Sequence, residues 1–226
     1  MVDEGLETGQ ETAVLFSGGL DSAVLAAAEA ARRPVLPIYV AVGLAWEAAE
    51  LEVVARLLAA APLRGRVRPL ARLDVDMRDV YPPSHWAIRG EPPAYDTPDE
   101  DVYLEGRNVV LLSKAAVLCA RRGIGRIALG PLAGNPFPDA TPEFFAAMGR
   151  ALSLGLAHPI EIAAPLAHLH KHDVIGMGRT LGVPFELTLS CMNPSDGRHC
   201  GRCSKCRERQ QAFHAAGIAD PAGYAR

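Results

Sequence analysis

Residues 12–22, TAVLFSGGLDS, decide the fold of this chain. They join a short apolar run to a glycine pair and then to an alanine-rich stretch, which predicts a strand, a tight turn and a helix. The glycine pair lets backbone N–H groups approach phosphate oxygens, and Ser17 and Ser22 add hydroxyl donors at the positive end of the helix dipole. Asp21 would repel phosphates unless a cation lay between them, so it indicates Mg²⁺. The stretch therefore predicts a site for the phosphates of a magnesium-bound nucleotide.

Strand and helix patterns alternate along the rest of the chain. After the first strand (12–16) and helix (20–33), we expect strands at 34–42, 66–71, 126–129 and 159–163, and helices at 46–60, 108–122, 141–154, 172–181 and 204–216. Residues 73–105 contain five prolines and an acidic run, which predicts a long loop or lid. This order predicts an α/β fold with a doubly wound, mostly parallel five-stranded sheet, and ligands bind such sheets at the carboxyl ends of their strands.

Composition favours an ordinary globular protein that acts on small molecules. The chain has 226 residues, a formal net charge of −3 and 22% charged residues, so nothing in its overall charge favours nucleic acid. It contains no run of about 18 apolar residues that would cross a membrane. The first residues, MVDEGLETGQET, are acidic rather than apolar, so we expect a cytoplasmic protein with no membrane partner. We divide it into an ATP-binding α/β domain, 1–188, and a C-terminal segment, 189–226.

Four of the five cysteines lie close together near the C-terminus. Cys191, Cys200, Cys203 and Cys206 have the spacing C-x8-C-x2-C-x2-C. Four thiolates complete a tetrahedron with no open position, which is typical of structural zinc. An iron–sulfur cluster suits the same spacing and stays an alternative, whereas a disulfide pair is not expected in a reducing compartment. Cys119 falls among apolar residues of a helix, so we interpret it as a core residue.

The phosphate-loop residues resemble the signature of the PP-loop ATP pyrophosphatases, which cleave ATP to AMP and pyrophosphate while adenylating their substrate. The sequence His170-Lys171-His172-Asp173 is similar to the start of a late helix in that family. The resemblance implies catalytic roles for Asp21 and Lys171, with a solvated lysine as the alternative for Lys171. It implies that ATP contacts Phe16, Ser17, Gly18, Gly19, Leu20, Asp21, Ser22, Arg107, Asn108 and Lys171.

A narrower resemblance covers nearly the whole chain. The cysteine segment, Gly106-Arg107-Asn108 and Ala164-Pro165-Leu166 resemble, in order, the 7-cyano-7-deazaguanine synthases of queuosine biosynthesis. The resemblance implies a zinc-containing C–N ligase that converts 7-carboxy-7-deazaguanine to a nitrile with ammonia and two ATP-dependent activations. ATP, ammonia and the carboxylated deazapurine or an analogue are then the partners, and a homodimer stays open as its assembly.

Two segments depart from that family. Residues 41–47, AVGLAWE, stand where the family has an Asp-Tyr-Gly-Gln type segment. Residues 137–144, FPDATPEF, resemble the family's acid-side loop, but Thr141 stands where an arginine would, and threonine cannot make a bidentate contact to a carboxylate. The resemblance implies substrate contacts for Phe137, Asp139 and Glu143, with helix capping as the alternative for the two acids. For Arg107 and Asn108 the alternative is likewise a helix cap with a surface arginine.

Two other functions stay open on these residues. The first is the same adenylation of a different acid, ending at an amide or a conjugate with an amine, which the changed loop motivates. The second is a tRNA-modifying sulfur transferase, which would require a catalytic cysteine outside the metal site. Its motivation is the basic run around the cysteines, which is otherwise expected to be a solvated face: Arg198, His199, Arg202, Lys205, Arg207 and Arg209.

Overall fold

The computed structural model describes residues 10–225. The acidic residues at positions 1–9, on which the expected cytoplasmic location rests, lie outside the described residues. The strands are β1 Thr12–Leu15, β2 Val35–Ala41, β3 Ala71–Asp74, β4 Arg126–Ala128 and β5 Glu161–Ala163. The helices are α1 Leu20–Ala30, α2 Glu47–Ala59, α3 Trp86–Arg89, α4 Arg107–Arg122, α5 Pro142–Leu156, α6 Lys171–Thr180 and α7 Ser204–Ala215.

The five strands form one parallel sheet in the order β3-β2-β1-β4-β5. Helices cover both faces, because alternate residues of a strand point in opposite directions. Val14 packs into the core that contains α1, α2, α6 and α7, whereas its neighbour Ala13 packs into the core that contains α4 and α5. The predicted doubly wound α/β fold is confirmed.

The third strand is displaced from its predicted position. It runs through Ala71–Asp74 and pairs with the second half of β2, whereas residues 66–71 were expected to form it. Val67 makes only an isolated bridge to Val35, and the next residue but one is Pro69, which has no N–H to donate to a ladder. The prediction of a strand at 66–71 is therefore wrong for all but its last residue.

The segment predicted as a loop or lid is held against α7. It contains the last two residues of β3, the short helix α3 and a 3-10 turn at Asp99–Val102, and it is otherwise irregular. The Arg207 guanidinium donates hydrogen bonds to the carbonyls of Tyr95 and Thr97, both at 2.7 Å, and to Asp99 Oδ1 at 2.7 Å. This segment is therefore tied to the C-terminal region.

The basic run near the C-terminus is a solvated face only in part: Arg198 and Arg202 are exposed, whereas two other members are buried. Arg209 is fully buried, donates to Asp220 and to Thr188 Oγ1, and lies over the Phe213 ring. His199 is buried, and burial lowers its pKa to about 4. The prediction is wrong for Arg209 and His199, because sequence spacing does not show which basic side chains have buried partners.

No helix among residues 10–225 is long and apolar enough to cross a membrane. The predicted boundary between residues 188 and 189 stays a prediction. The cysteines nevertheless share one hydrophobic core with β1 and α1, which places them against the sheet domain.

Candidate active site

The phosphate loop connects the end of β1 to the start of α1. Gly18 has φ +77°, and a Cβ on it would lie 2.9 Å from Val53 Cγ1, so only glycine fits this turn without strain. Ser22 Oγ donates to the Gly19 carbonyl at 2.9 Å, which fixes the first turn of the helix. No side chain among residues 10–225 caps the N-terminus of α1, so the N–H groups of its first turn are available to an anion.

Asp21 lies beside a chain of three more charged groups. Lys171 Nζ, at the start of α6, is 3.1 Å from Asp21 Oδ2 and 2.6 Å from Glu208 Oε1 on α7. Lys205, also on α7, forms an ion pair with the other oxygen of Glu208. The four groups bring together the phosphate loop, α6 and α7.

The second oxygen of Asp21 fits a magnesium site. Asp21 Oδ1 is buried and has no hydrogen-bond partner among the described residues. A buried carboxylate oxygen without a partner is costly unless a ligand satisfies it, and carboxylate oxygens are the donors that Mg²⁺ takes in nucleotide sites. Asp21 is therefore the residue that would hold the cation, and Mg²⁺ at this position stays a prediction.

Lys171 and Glu208 stay charged at neutral pH. Burial opposes the charged forms of both Lys171 and Glu208, but the attraction between them is stronger. The carboxylates of Asp21 and Glu208 therefore raise the pKa of Lys171 in spite of its burial. The ammonium groups of Lys171 and Lys205 lower the pKa of Glu208 to about 2.

A cleft of about 290 Å³ opens at the carboxyl ends of β1, β2 and β4. This is the edge at which parallel sheets bind ligands. The sequence-predicted residues that line it are Phe16, Ser17, Gly19, Asp21, Ser22, Arg107, Asn108, Phe137 and Asp139. Leu20 is buried in the core, while Lys171 reaches the loop through its contact with Asp21.

Two aromatic rings form part of the cleft wall. Tyr103 stacks on Phe137 with their centroids 5.2 Å apart and an interplanar angle of 24°. Tyr103 belongs to the segment that Arg207 holds. Stacked rings at the mouth of a cleft offer a flat apolar surface to a planar ligand.

The acid-side loop mainly caps helices. Asp139 Oδ2 accepts the Asn108 backbone N–H at 3.1 Å, and Asn108 Nδ2 donates to the Asp139 carbonyl at 3.0 Å, so Asp139 serves the start of α4 while lining the cleft. Thr141 Oγ1 accepts the Phe144 N–H at 3.1 Å and caps α5. Glu143 is exposed in the first turn of α5 and is not among the residues that line the cleft.

The sequence interpretation missed Glu50 and Tyr39, which both line the cleft. Tyr39 Oη donates to Glu50 Oε2 at 2.7 Å, and burial raises the pKa of Glu50 to about 7 against the opposing charge of Arg107. A signal was present, because Glu50 precedes Val53, Val54 and Leu57 on the buried stripe of α2. A carboxylate on a core-facing stripe indicates a buried polar site.

Arg107 completes this side of the cleft. Its Nε is buried and has no hydrogen-bond partner in the part of the chain that the structure describes. Its positive charge favours the ionised forms of Glu50, Tyr81 and Asp139 and so opposes the rise in their pKa values that burial causes. A guanidinium in this position is able to bind an anionic or carbonyl oxygen of a ligand.

The four clustered cysteines converge on one point. Their Sγ atoms lie within 4.8 Å of one another, and all four residues are buried. The separations of Cys203 and Cys200 from Cys206, 3.5 Å and 3.9 Å between Sγ atoms, bracket the edge of about 3.8 Å in a tetrahedron with Zn–S bonds of about 2.3 Å. The backbone N–H groups of Asn193 and Cys200 donate to Cys191 Sγ, as suits a thiolate. The residues therefore fit a tetrahedral metal ion.

Cys119 is apart from this cluster. It is fully buried in α4, which confirms its assignment to the core, and burial raises its pKa to about 12. A thiol in this state is a poor nucleophile.

Comparison with known proteins matches residues 11–217 to the family model described as queuosine biosynthesis protein QueC. A 7-cyano-7-deazaguanine synthase from Anaeromyxobacter dehalogenans is 34% identical over 227 residues, covering 94% of this chain and 95% of the relative. Another from Xanthomonas campestris pv. campestris is 35% identical over 225 residues, covering 96% of this chain and 98% of the relative.

Among solved structures, the U34-tRNA thiolase NcsA from Methanococcus maripaludis with its [4Fe-4S] cluster is similar in fold. The TM-score is 0.50 at 12% identity, and the match covers 93% of this chain and 69% of that one. At this identity the likeness shows the fold alone.

We predict that Cys203→Ser loses most of the bound metal, because an interrupted thiolate set no longer completes the tetrahedron. Metal per chain is measured by elemental mass spectrometry, and visible absorption separates colourless zinc from an iron–sulfur cluster. Cys119→Ser is the matched control and should keep the metal of the unaltered protein. Full metal content in the Cys203 variant would contradict a four-cysteine site.

We also predict a pH-dependent cost from Glu50. Its pKa in the folded protein, about 7, lies above its ordinary value of 4.5, so the folded state binds the extra proton between these limits. Stability then falls as the pH rises from 5 to 8, by on the order of 3 kcal/mol, and Glu50→Gln removes this part of the fall. Urea unfolding at both pH values measures it, with exposed Glu52→Gln on the same helix as the control. An identical pH dependence in all three proteins would refute the shift.

Proposed function

The chain belongs to the QueC family of queuosine biosynthesis proteins, and on that premise we propose that it adenylates a carboxylate with ATP and converts it to a nitrile. It is an enzyme, since the curated relatives are named synthases over nearly its whole length. The substrate we propose is 7-carboxy-7-deazaguanine or a close analogue, with ammonia as the nitrogen donor and AMP and pyrophosphate as products.

The observation that carries the proposal is the unpartnered Asp21 Oδ1 beside Lys171 at the phosphate loop. Magnesium bound there would screen the phosphates and stabilise the charge that develops as pyrophosphate leaves. The free N–H groups of α1 and the hydroxyls of Ser17 and Ser22 bind phosphate oxygens. Lys171, held by Glu208, supplies a fixed positive charge to the same phosphates.

The chemistry proceeds in two activations. A carboxylate oxygen attacks the α-phosphorus of ATP, the bond to the bridging oxygen of the β-phosphate breaks, and pyrophosphate leaves. Ammonia attacks the acyl carbon, AMP departs, and loss of a proton gives the amide. A second ATP adenylates the amide oxygen as pyrophosphate leaves, and loss of one N–H proton gives the O-adenylated imidate. Loss of AMP and of the second N–H proton then gives the nitrile.

The opposite wall of the cleft suits the planar acid. Tyr103 and Phe137 would stack on the ring system, and Arg107 would bind an anionic oxygen of the ligand. The pKa of Glu50 is about 7, close to neutral pH. A group that accepts a proton from ammonia or from the amide should have such a pKa. We propose substrate contacts for Asp139, which lines the cleft, and for Glu143, which lies outside the lining and would reach the ligand once the loop 137–144 moved toward it.

We assign a structural role to the metal of the four cysteines, with zinc as the ion. All five cysteines are free thiols in the structure, which suits the reducing cytoplasm. A metal at this position would fix α7, and α7 carries both Glu208 and Arg207. Residues 189–226 would therefore serve the active site while forming their own metal-bound segment.

One alternative has a specific observation in its favour. Thr141 caps α5 and places no charge at the acid-side loop. An enzyme with the same adenylation chemistry would then take a different acid, or stop at an amide or a conjugate with an amine. A sulfur transferase is disfavoured, because Cys119 is buried and its pKa is raised.

We predict that the purified protein releases AMP from ATP when Mg²⁺, ammonia and 7-carboxy-7-deazaguanine are present. Mass spectrometry of the base separates nitrile from amide. Asp21→Asn should lower AMP release by at least about a hundredfold, because the cation loses its protein ligand. Asp79→Asn, at an exposed aspartate, is the control and should keep full turnover.

Nitrile formation supports the proposal, whereas an amide end product favours the alternative. Absence of AMP release with this acid would contradict the proposed substrate. Unchanged AMP release by a folded Asp21→Asn protein would contradict the role of Asp21.

A further inference from the structure

One carboxylate in the site serves two lysines. The two oxygens of Glu208 contact Lys171 and Lys205, at the start of α6 and of α7 respectively. Lys171 also contacts Asp21, so its charge has a direct role at the phosphate loop. Lys205 has no such contact with the loop, although it lines the cleft. We propose that Lys205 is a ligand-binding residue whose ammonium group binds an anionic oxygen of the nucleotide or of the acid. This inference rests on the proposed function.

The charge balance of the site supports this role. Asp21 and Glu208 balance Lys171 and Lys205 when no ligand is bound. A divalent cation bound by Asp21 Oδ1 adds positive charge to this balanced set, while Oδ2 keeps its contact with Lys171. The site then has an excess of positive charge, and anionic oxygens of the ligand are the complement that restores the balance.

The position of Lys205 is set by the most constrained part of α7. It stands between Cys203 and Cys206, and Arg207, two positions further along the helix, donates to the carbonyls of Tyr95 and Thr97. Its side chain keeps 24% of its surface exposed, toward the cleft, while the shared Glu208 limits the directions that the ammonium group takes. A cation fixed in this way loses little freedom when a ligand arrives.

A purely structural ion pair accounts for these observations less well. Lys171 already neutralises Glu208 at 2.6 Å, so the carboxylate does not need a second lysine in order to stay ionised. A partly exposed pair three residues apart on one helix adds little to stability. An ammonium group that lines a binding cleft contributes to the free energy of ligand binding instead.

The test measures binding rather than turnover. Lys205→Met, Lys205→Arg and the exposed control Lys114→Met are compared with the unaltered protein by calorimetry. One arm titrates α,β-methylene-ATP with Mg²⁺, and a second titrates 7-carboxy-7-deazaguanine into the protein already saturated with that nucleotide. Metal content is measured for every variant, to separate ligand binding from loss of the cysteine site.

We expect Lys205→Met to weaken binding about ten- to a hundredfold in one of the two arms, as loss of one charge-assisted hydrogen bond does. Weaker nucleotide binding assigns the contact to phosphate, and weaker acid binding assigns it to the carboxylate. Lys205→Arg should recover most of the affinity, and Lys114→Met should change neither arm.

Three results would overturn the inference. These are unchanged affinity of Lys205→Met in both arms, equal losses in Lys205→Arg and Lys205→Met, or loss of metal from Lys205→Met. If the unaltered protein binds the nucleotide but not this acid, the proposed substrate fails while the nucleotide arm still decides the role of Lys205.

Discussion

The contact of Lys171 with Asp21 on one side and Glu208 on the other is the interaction on which the site depends. It joins three segments that are far apart in the sequence: the turn after β1, the start of α6, and the helix that follows the cysteines. Buried charges are tolerated only when they are paired, so these segments have to be in place together. The geometry of the phosphate loop is thereby tied to the folding of the C-terminal region.

Because of these contacts, the cysteine segment is part of the active site and not only a metal-bound appendage. As a sequence it resembles an appendage that a metal holds together. In the structure its helix α7 supplies Glu208 and Lys205 to the cleft and Arg207 to the segment that carries Tyr103. The cysteines share a hydrophobic core with β1, so a metal bound there would hold one wall of the active site against the sheet.

The sequence predicted the features that depend on local pattern. Alternating apolar periods predicted the α/β fold, and the glycine pair and the four clustered cysteines predicted a tight turn at the first strand–helix junction and a convergent cysteine cluster. Features that depend on tertiary pairing were missed or misplaced. The third strand lies at Ala71–Asp74, after Pro69, and Arg209 is buried in an ion pair with Asp220. Glu50 lines the cleft because it lies on the buried stripe of α2. The role of Glu208 could not be predicted from the sequence, because its partner Lys171 lies 37 positions earlier in the chain.

The most direct test is a crystal structure of the protein with Mn²⁺ and α,β-methylene-ATP, in which anomalous scattering locates the cation. The account predicts an anomalous peak at about 2.0–2.2 Å from Asp21 Oδ1, phosphates on the N–H groups of residues 17–22, and Lys171 still in contact with Glu208. A bound nucleotide whose cation lies away from Asp21, or whose phosphates lie away from this loop, would contradict it.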